Sequence, residues 1–100
     1  MEQPDETIHQ RVRLKIMVAL RASSDREQME FTQMKAVVGA TDGNLGAHIG
    51  ILERAGYLAV QKDFVGKKPR TRMQITKTGR RAFERYVEFL RSIVEGTSSG

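Results

Sequence analysis

The spacing of apolar residues along this 100-residue chain changes period twice. Up to Ala55 apolar residues recur at every third or fourth position, which is typical of amphipathic helices. Over 58–75 they alternate with polar residues, which is typical of half-buried strands, and over 77–95 the helical spacing returns. Because a chain of this length builds only one small core, we predict a single domain over 1–100, of the α+β class and mainly helical, with one β-hairpin.

The region before the hairpin divides into three predicted helices, over 5–22, 32–38 and 42–55, with a short extended piece over 28–31. Glycine follows the second and third helices, where a left-handed residue commonly ends a helix. Two helices joined by a short turn that contains glycine form a helix-turn-helix. The predicted N-caps are Asp5, Thr32, either Thr41 or Asp42, and Thr76 for the last helix.

The same spacing predicts which side chains face the core, although Lys62 interrupts the alternation of the first strand. On the third helix, Leu45, Ile49 and Leu52 form an apolar stripe. Tyr57 follows that helix, and we expect it to contact the helix end rather than to stack on a ligand. The other predicted inward positions are Met34, Val37 and Val38 on the second helix, Leu58, Val60 and Phe64 on the first strand, and Met73 and Ile75 on the second strand.

The apolar residues of the last helix cover a wide arc. On a helical wheel they span roughly 160°, whereas packing on one core needs roughly 100°. A second apolar partner is therefore predicted, and in a chain this short we expect another subunit; the alternative is that the first helix covers the whole arc. The residues predicted to form a homodimer interface are Phe83, Tyr86, Val87, Leu90, Ile93 and Val94.

Basic residues are concentrated in one segment. Eight Lys and Arg residues lie over 62–81, where Asp63 is the only acid, so this segment carries +7 and the rest of the chain −2 of the net +5. A localised basic patch is the usual footprint of a polyanion site, whereas a merely solvated surface usually mixes both signs. We therefore expect this segment to bind a polyanion.

The order of helix, helix, helix, basic hairpin and helix resembles a winged helix-turn-helix, and the chain is similar to the stand-alone regulators related to the MarR and ArsR families. The stretches "GNLGAHIGILERAGYL" and "KDFVGKKPRTRMQITKTGRRAF" carry the resemblance, which extends over about 5–95. It implies a homodimer that binds a near-palindromic operator in double-stranded DNA and represses or activates transcription. The third helix would enter the major groove, and the hairpin, or wing, would touch the backbone or the minor groove.

The resemblance also implies roles for individual residues. Asn44 falls near the start of the recognition helix, where base edges are met. Lys67, Lys68 and Arg70 fall at the wing tip, and Arg72 falls on the return strand. The full set of predicted DNA contacts is Thr41, Asn44, Ala47, His48, Arg54, Lys62, Lys67, Lys68, Arg70 and Arg72.

Gly43, Gly46 and Gly50 leave the outward face of the recognition helix almost bare, although each glycine costs a helix about 1 kcal/mol relative to alanine. Many relatives have serine at position 46 and a longer polar residue at 47 or 50. In one interpretation, small residues let the helix backbone lie close to DNA, and specificity comes from Asn44, the wing and DNA shape. In the other, the glycines reflect packing against the first helix or simple tolerance, and the helix reads sequence poorly.

Other classes of protein are disfavoured. The chain has no cysteine and only two histidines, His9 and His48, so we predict no metal site and no cofactor. His48 lies toward the core side of the recognition helix, which favours a packed histidine over a base contact. No catalytic set of residues and no phosphate-binding glycine loop is recognisable, so an enzyme is not expected. No apolar run approaches the roughly 20 residues of a membrane span, and the polar N-terminus does not resemble a signal peptide. The absence of cysteine predicts a reducing, cytoplasmic setting.

Two other functions stay open at the level of sequence. One is a protein-interaction or assembly module on a winged-helix scaffold, with only nonspecific nucleic-acid binding; the bare helix face favours it and the basic wing disfavours it. The other is RNA binding, which needs exposed aromatic side chains beside the basic ones, and the alternation points Phe64 inward. The sequence identifies no small-molecule effector, and such a ligand would have to bind between the wing domain and the dimer helices.

Overall fold

A computed structural model describes residues 4–23 and 28–98 of the chain. The three strands form one antiparallel sheet in the order β1-β3-β2, and helices pack against it. The elements in chain order are α1 (Glu6–His9), α2 (Arg11–Ala22), β1 (Met29–Glu30), α3 (Phe31–Val38), α4 (Asp42–Arg54), β2 (Leu58–Val65), β3 (Lys68–Ile75) and α5 (Lys77–Ser98). The mainly helical α+β class predicted from the sequence is therefore confirmed.

The predicted first helix over 5–22 is interrupted at Gln10. The backbone of Gln10 is extended, and its side chain caps α2 by accepting the N–H of Arg13 at 2.9 Å. The guanidinium of Arg13 turns back to the end of α1, where Nε donates to the carbonyl of Thr7 at 2.5 Å. A single continuous helix was therefore a wrong prediction, because local side-chain hydrogen bonds satisfy the backbone groups that the break exposes.

Helix α3 begins one residue earlier than predicted and is not capped by Thr32. Glu30 occupies the N-cap position, and its N–H donates to the side chain of Gln33 at 2.9 Å. Gly39, at φ 74°, ends α3 in the left-handed conformation that glycine adopts without strain. Thr41 then caps α4, since its hydroxyl accepts the N–H three residues on at 3.2 Å.

The core lies where the helices meet the base of the hairpin. Leu45, Ile49 and Leu52 of α4 are buried, as their spacing predicts. Val37 is 60% exposed instead of inward, because Met34 and Val38, about one helical turn apart, already supply the contact of α3 with the core. The remaining core side chains are Ile8, Ile16, Met17, Leu20, Leu58, Met73, Ile75, Ala82, Phe83 and Tyr86.

Phe64 was also predicted to face inward and is 70% exposed. Successive side chains of a strand alternate between its two faces, so Phe64, Lys62, Val60 and Leu58 share one face of the hairpin. Leu58 is buried, Val60 is half-buried and Lys62 is exposed. The alternation thus identifies the correct face, but the hairpin extends beyond the core, and Phe64 with its cross-strand partner Pro69 lies past the core's edge.

Helix α5 starts at a close backbone contact. The hydroxyl of Thr76 accepts the N–H of Gly79 at 2.9 Å, as expected of the predicted cap, and the N–H of Thr76 donates to the carbonyl of Tyr57 at 3.0 Å. Gly79 lies so close to Tyr57 that a Cβ added at this glycine would overlap the Tyr57 carbonyl. Glycine is therefore required at position 79 for α5 to dock here.

Only the first half of α5 packs on the core. Phe83 and Tyr86 are buried within the chain, and the hydroxyl of Tyr86 lies 2.9 Å from Nδ1 of His9. Both side chains were predicted at the dimer interface. The chain's own core covers Tyr86, which corrects the prediction for that residue, whereas Phe83 also borders a surface groove between α2 and α5. Beyond them Leu90, Ile93 and Val94 are exposed, and the molecule measures 59 Å along its longest axis.

We expect Gly79→Ala to lower the free energy of unfolding by about 2–3 kcal/mol, because the added methyl group pushes α5 away from Tyr57. Urea unfolding measures this. The matched control is Gly96→Ala in the same helix, where an added Cβ meets nothing within 4 Å; stability should stay unchanged or rise by up to about 1 kcal/mol. Equal stability of the two variants would contradict the close contact.

Candidate nucleic-acid interface

Helix α4 presents an outward surface made mostly of small residues. Gly43, Gly46 and Ala47 are all exposed. A Cβ added at Gly43 or Gly46 would meet nothing within 4 Å, so packing within the chain does not require glycine at either position. The interpretation that these glycines serve contacts with the first helix is therefore wrong, which leaves close approach of a ligand or simple tolerance.

Gly50 differs from the other two, because the side chain of Arg54 lies over it. The nearest guanidinium nitrogen of Arg54 is 3.3 Å from the position that a Cβ at Gly50 would take. A glycine at this position makes room for the arginine of the next turn. Arg54 therefore follows the surface of α4 instead of projecting straight away from it.

A cleft of about 160 Å³ lies between α4 and the hairpin. Gly46 and Gly50 border it from α4, and Lys62 borders it from β2. Lys62, which interrupts the apolar alternation of β2, thus projects from the hairpin face that lies nearest to the two glycines. The other lining residues are Phe31, Ile49, Glu53, Val60 and Thr71.

His48 is half-buried and held by a residue of α2. Nη1 of Arg13 lies 3.0 Å from Nδ1 of His48. A guanidinium only donates hydrogen bonds, so Nδ1 accepts and the neutral ring carries its hydrogen on Nε2. Burial and the nearby charge of Arg13 lower the pKa of His48. His48 is partly buried, as its place on the wheel predicts, but nothing in the helical periodicity indicates the contact with Arg13, 35 positions earlier.

Two of the predicted phosphate-binding arginines are paired with an acid on the hairpin. Arg70 donates from Nε and Nη2 to the carboxylate of Asp63 at 3.0 and 2.8 Å, and Arg72 donates to it at 2.9 Å. The hydrogen bond from Arg70, together with both positive charges, lowers the pKa of Asp63. Arg70 was predicted at the wing tip, which is wrong, since it lies within β3 opposite Asp63.

The tip of the hairpin is formed by Gly66, at φ 64°, and Lys67. Lys67, Lys68 and Lys62 are exposed, and within residues 4–23 and 28–98 none of them forms an ion pair. The basic segment found in the sequence also divides between two elements: five of its eight cations lie on the hairpin and three lie on α5. The lysines are therefore the cations of the hairpin most available to an anion.

The described part of the chain contains neither a metal-binding cluster nor a membrane-spanning helix. No group of three or more histidine or acidic side chains there could hold a metal ion. No helix among those residues is long and apolar enough to span a membrane.

The arrangement of a helix-turn-helix (α3 and α4) beside a two-stranded wing is matched by known proteins. An uncharacterised protein of Methanocaldococcus jannaschii is 36% identical over 76 residues, which cover 76% of this chain and 79% of that protein. The structure of a transcriptional regulator homologue from Pyrococcus horikoshii OT3 has a TM-score of 0.81 and 32% identity, over 93% of this chain and 89% of that one.

A Salmonella typhimurium protein described as the transcriptional regulator ytfH shares the fold, with a TM-score of 0.72 and 19% identity over 94% of this chain and 80% of its own. Residues 12–94 match the family model of the winged helix DNA-binding domain. The relation to the MarR and ArsR families stays a prediction from the sequence. The chain itself belongs to the winged helix DNA-binding domain family.

Proposed function

We propose that this protein is a homodimeric transcription regulator that binds specific sequences in double-stranded DNA, with α4 in the major groove and the hairpin on the sugar–phosphate backbone. One observation carries the proposal. Two glycines of α4, Gly46 and Gly50, and the exposed Lys62 of the hairpin border the same cleft, so one duplex can contact both elements. The Pyrococcus horikoshii relative, described as a transcriptional regulator homologue, supports the regulatory role.

In this proposal, sequence is read mainly from the start of α4. Asn44 is exposed in the first turn, and a carboxamide that bonds one base with two hydrogen bonds contributes roughly 1–3 kcal/mol of discrimination. His48 offers Nε2–H as a donor while Arg13 occupies its other ring nitrogen. The remaining proposed contacts on this side are Thr41, Ala47 and Arg54.

The hairpin supplies the contacts to phosphates. Lys67, Lys68 and Lys62 rank first, because they are exposed and unpaired among the described residues. Arg70 and Arg72 rank second, since Asp63 already takes part of their hydrogen-bonding capacity. This order revises the sequence-based expectation that Arg70 acts together with the two tip lysines.

We expect duplex binding to weaken steeply with salt, and the double variant Lys67→Ala/Lys68→Ala to reduce the slope of log K against log salt by about 1.8, at about 0.9 per phosphate contact. Titration of a mixed-sequence duplex at several salt concentrations measures both. The control is Arg11→Ala/Lys15→Ala on α2, which removes equal charge from exposed positions and should leave the slope unchanged. Equal losses in the two variants would show an effect of net charge alone.

The glycines of α4 fit the proposal because they reduce the distance between the helix backbone and the groove. Gly46 borders the cleft and has open space at its missing side chain. An isolated helix is more stable with alanine than with glycine. A glycine at this position despite that cost is consistent with a surface that lies close to a bound duplex.

We expect Gly46→Ala to raise the free energy of unfolding by up to about 1 kcal/mol and to weaken duplex binding on the order of tenfold, a loss of about 1.4 kcal/mol. Urea unfolding and fluorescence anisotropy measure the two effects. Gly96→Ala serves as the control, with similar stability and unchanged binding. A more stable Gly46→Ala protein that binds DNA as well as the wild type would favour simple tolerance of glycine.

Homodimerisation is supported by the outer half of α5. Leu90, Ile93 and Val94 are 40%, 49% and 66% exposed, which leaves an apolar stripe along a helix that extends past the core. A groove of about 530 Å³ beside Val87, bordered by Arg21 of α2, gives partner side chains room to pack. The proposed interface therefore keeps Phe83, which lines this groove, with Val87, Leu90, Ile93 and Val94, and it omits Tyr86, which the core covers.

We expect Leu90→Asp/Ile93→Asp to convert a dimer into a monomer in sedimentation equilibrium, because the interface would bury unpaired carboxylates. Val37→Asp, on a valine of α3 that is 60% exposed, should leave the mass unchanged. In a selection from random duplexes, the wild type should enrich a near-palindrome with half-sites about one helical turn apart. The double variant should enrich only single half-sites. A monomeric wild type would contradict the proposed interface.

A second candidate function, a protein-interaction module with only nonspecific DNA binding, is favoured by the scarcity of long side chains on the outward face of α4. The same selection separates the two candidates. Salt-sensitive binding of the wild type without enrichment of any sequence would favour the interaction module.

A further inference from the structure

The hairpin carries an apolar ridge near its tip that neither the core nor the proposed contacts use. Phe64 is 70% exposed and lies opposite Pro69 in the β2–β3 register. Cross-strand partners project from the same face of a sheet, so the ring and the pyrrolidine form one continuous ridge. Scattered exposed apolar residues are ordinary, but this pair is set at the end of a projecting hairpin.

Cations flank this ridge. Lys62 lies on the same face as Phe64, two positions earlier in β2, and Lys67 lies in the turn beyond it. Lys68, the partner of Val65 in the register, begins β3 on the other face. The one acid of the hairpin, Asp63, projects from the opposite face and is bound by Arg70 and Arg72. An apolar protein surface would have to desolvate these lysines, whereas a duplex offers phosphates to the lysines and apolar base faces to the ring.

The ridge also points in the direction that DNA bound to α4 would require. Val60 and Lys62 share the face of Phe64 and border the cleft with Gly46 and Gly50 of α4. Phe64 therefore continues, further out along the hairpin, the surface that looks toward the recognition helix. A duplex lying on α4 would therefore meet the face of the wing that carries Lys62 and Phe64 before the face that carries Asp63.

We propose that Phe64, backed by Pro69, is a wedge that enters the minor groove of double-stranded DNA and partly unstacks one base step. This rests on the proposed DNA-binding function. Apolar side chains inserted in this way kink the duplex, and the flexible pyrimidine–purine steps are the easiest to open. The wedge thus selects DNA by deformability, a form of specificity that needs no long side chains on α4.

The test compares wild type, Phe64→Ala and Val65→Ala on two short duplexes. One has a central TA step that carries 2-aminopurine, whose fluorescence rises on unstacking, and the other has a stiff A-tract in place of that step. Val65 is the matched control, because it is the next residue, is 56% exposed and projects from the opposite face of the hairpin. Phe64 is outside the core, so its replacement should leave the thermal unfolding of the protein unchanged.

We expect the wild type and Val65→Ala to raise the 2-aminopurine fluorescence and to bind the TA duplex about tenfold more tightly than the A-tract duplex. Phe64→Ala should lose the fluorescence change and the preference while keeping the salt dependence of the wild type, because the lysines remain. Phe64→Leu should restore part of both.

If Phe64→Ala and Val65→Ala show the same preference for the TA duplex and the same fluorescence change, the wedge is overturned. The proposed DNA-binding function is unaffected by that result. Failure of the wild type to bind either duplex at low salt would overturn both. Tighter binding of single strands than duplex, dependent on Phe64, would assign the ring to base stacking on unpaired strands and overturn the wedge. Self-association without DNA that Phe64→Ala abolishes would assign it to a contact between copies, with the same result.

Discussion

The arrangement of the helices depends on the hydrogen bonds of a single residue, Tyr57. Its N–H donates to the carbonyl of Leu52 at 3.0 Å and closes α4, while its own carbonyl accepts the N–H of Thr76 and lies against Gly79. Its hydroxyl donates to the carboxylate of Asp5 at 2.5 Å. Burial and the bond to Asp5 raise the pKa of Tyr57 to about 12, which favours the protonated hydroxyl that this hydrogen bond needs. The end of α4 and the starts of α1 and α5 are thereby joined.

This junction connects the two halves of the proposed function. Helix α4 is the element proposed to enter the major groove, and α5 carries the proposed dimer interface. Because the backbone at Tyr57 and Gly79 is in direct contact, the angle between these helices is set by packed atoms rather than by a flexible linker. In a dimer, that angle decides how far apart the two copies of α4 lie, and therefore which spacing of half-sites both can reach.

Sequence periodicity predicts the local features of this fold and misses those that depend on distant contacts. The buried stripe of α4 and the cap at Thr76 follow from residues a few positions apart, and both are present. The break at Gln10 depends on the side-chain bonds of Arg13, which periodicity cannot detect. Alternation predicts the face of the strand from which Phe64 projects. It does not predict how exposed the side chain is, because that depends on how far the core extends along the hairpin. On α4, a helical wheel predicts which positions face outward, but only the three-dimensional structure shows that no other residue occupies the space beside Gly46.

The position of Asp63 has a consequence for the kinetics of association. By pairing with Arg70 and Arg72 it cancels one of their two positive charges, while Lys67 and Lys68 at the tip keep their full charge. Electrostatic attraction reaches only about 8–10 Å at physiological salt, so in the proposed complex the projecting tip meets the field of the duplex before α4 does. Encounter and docking are then separate steps: charge at the tip governs how often the two molecules meet, and contacts of α4 govern how long they stay together.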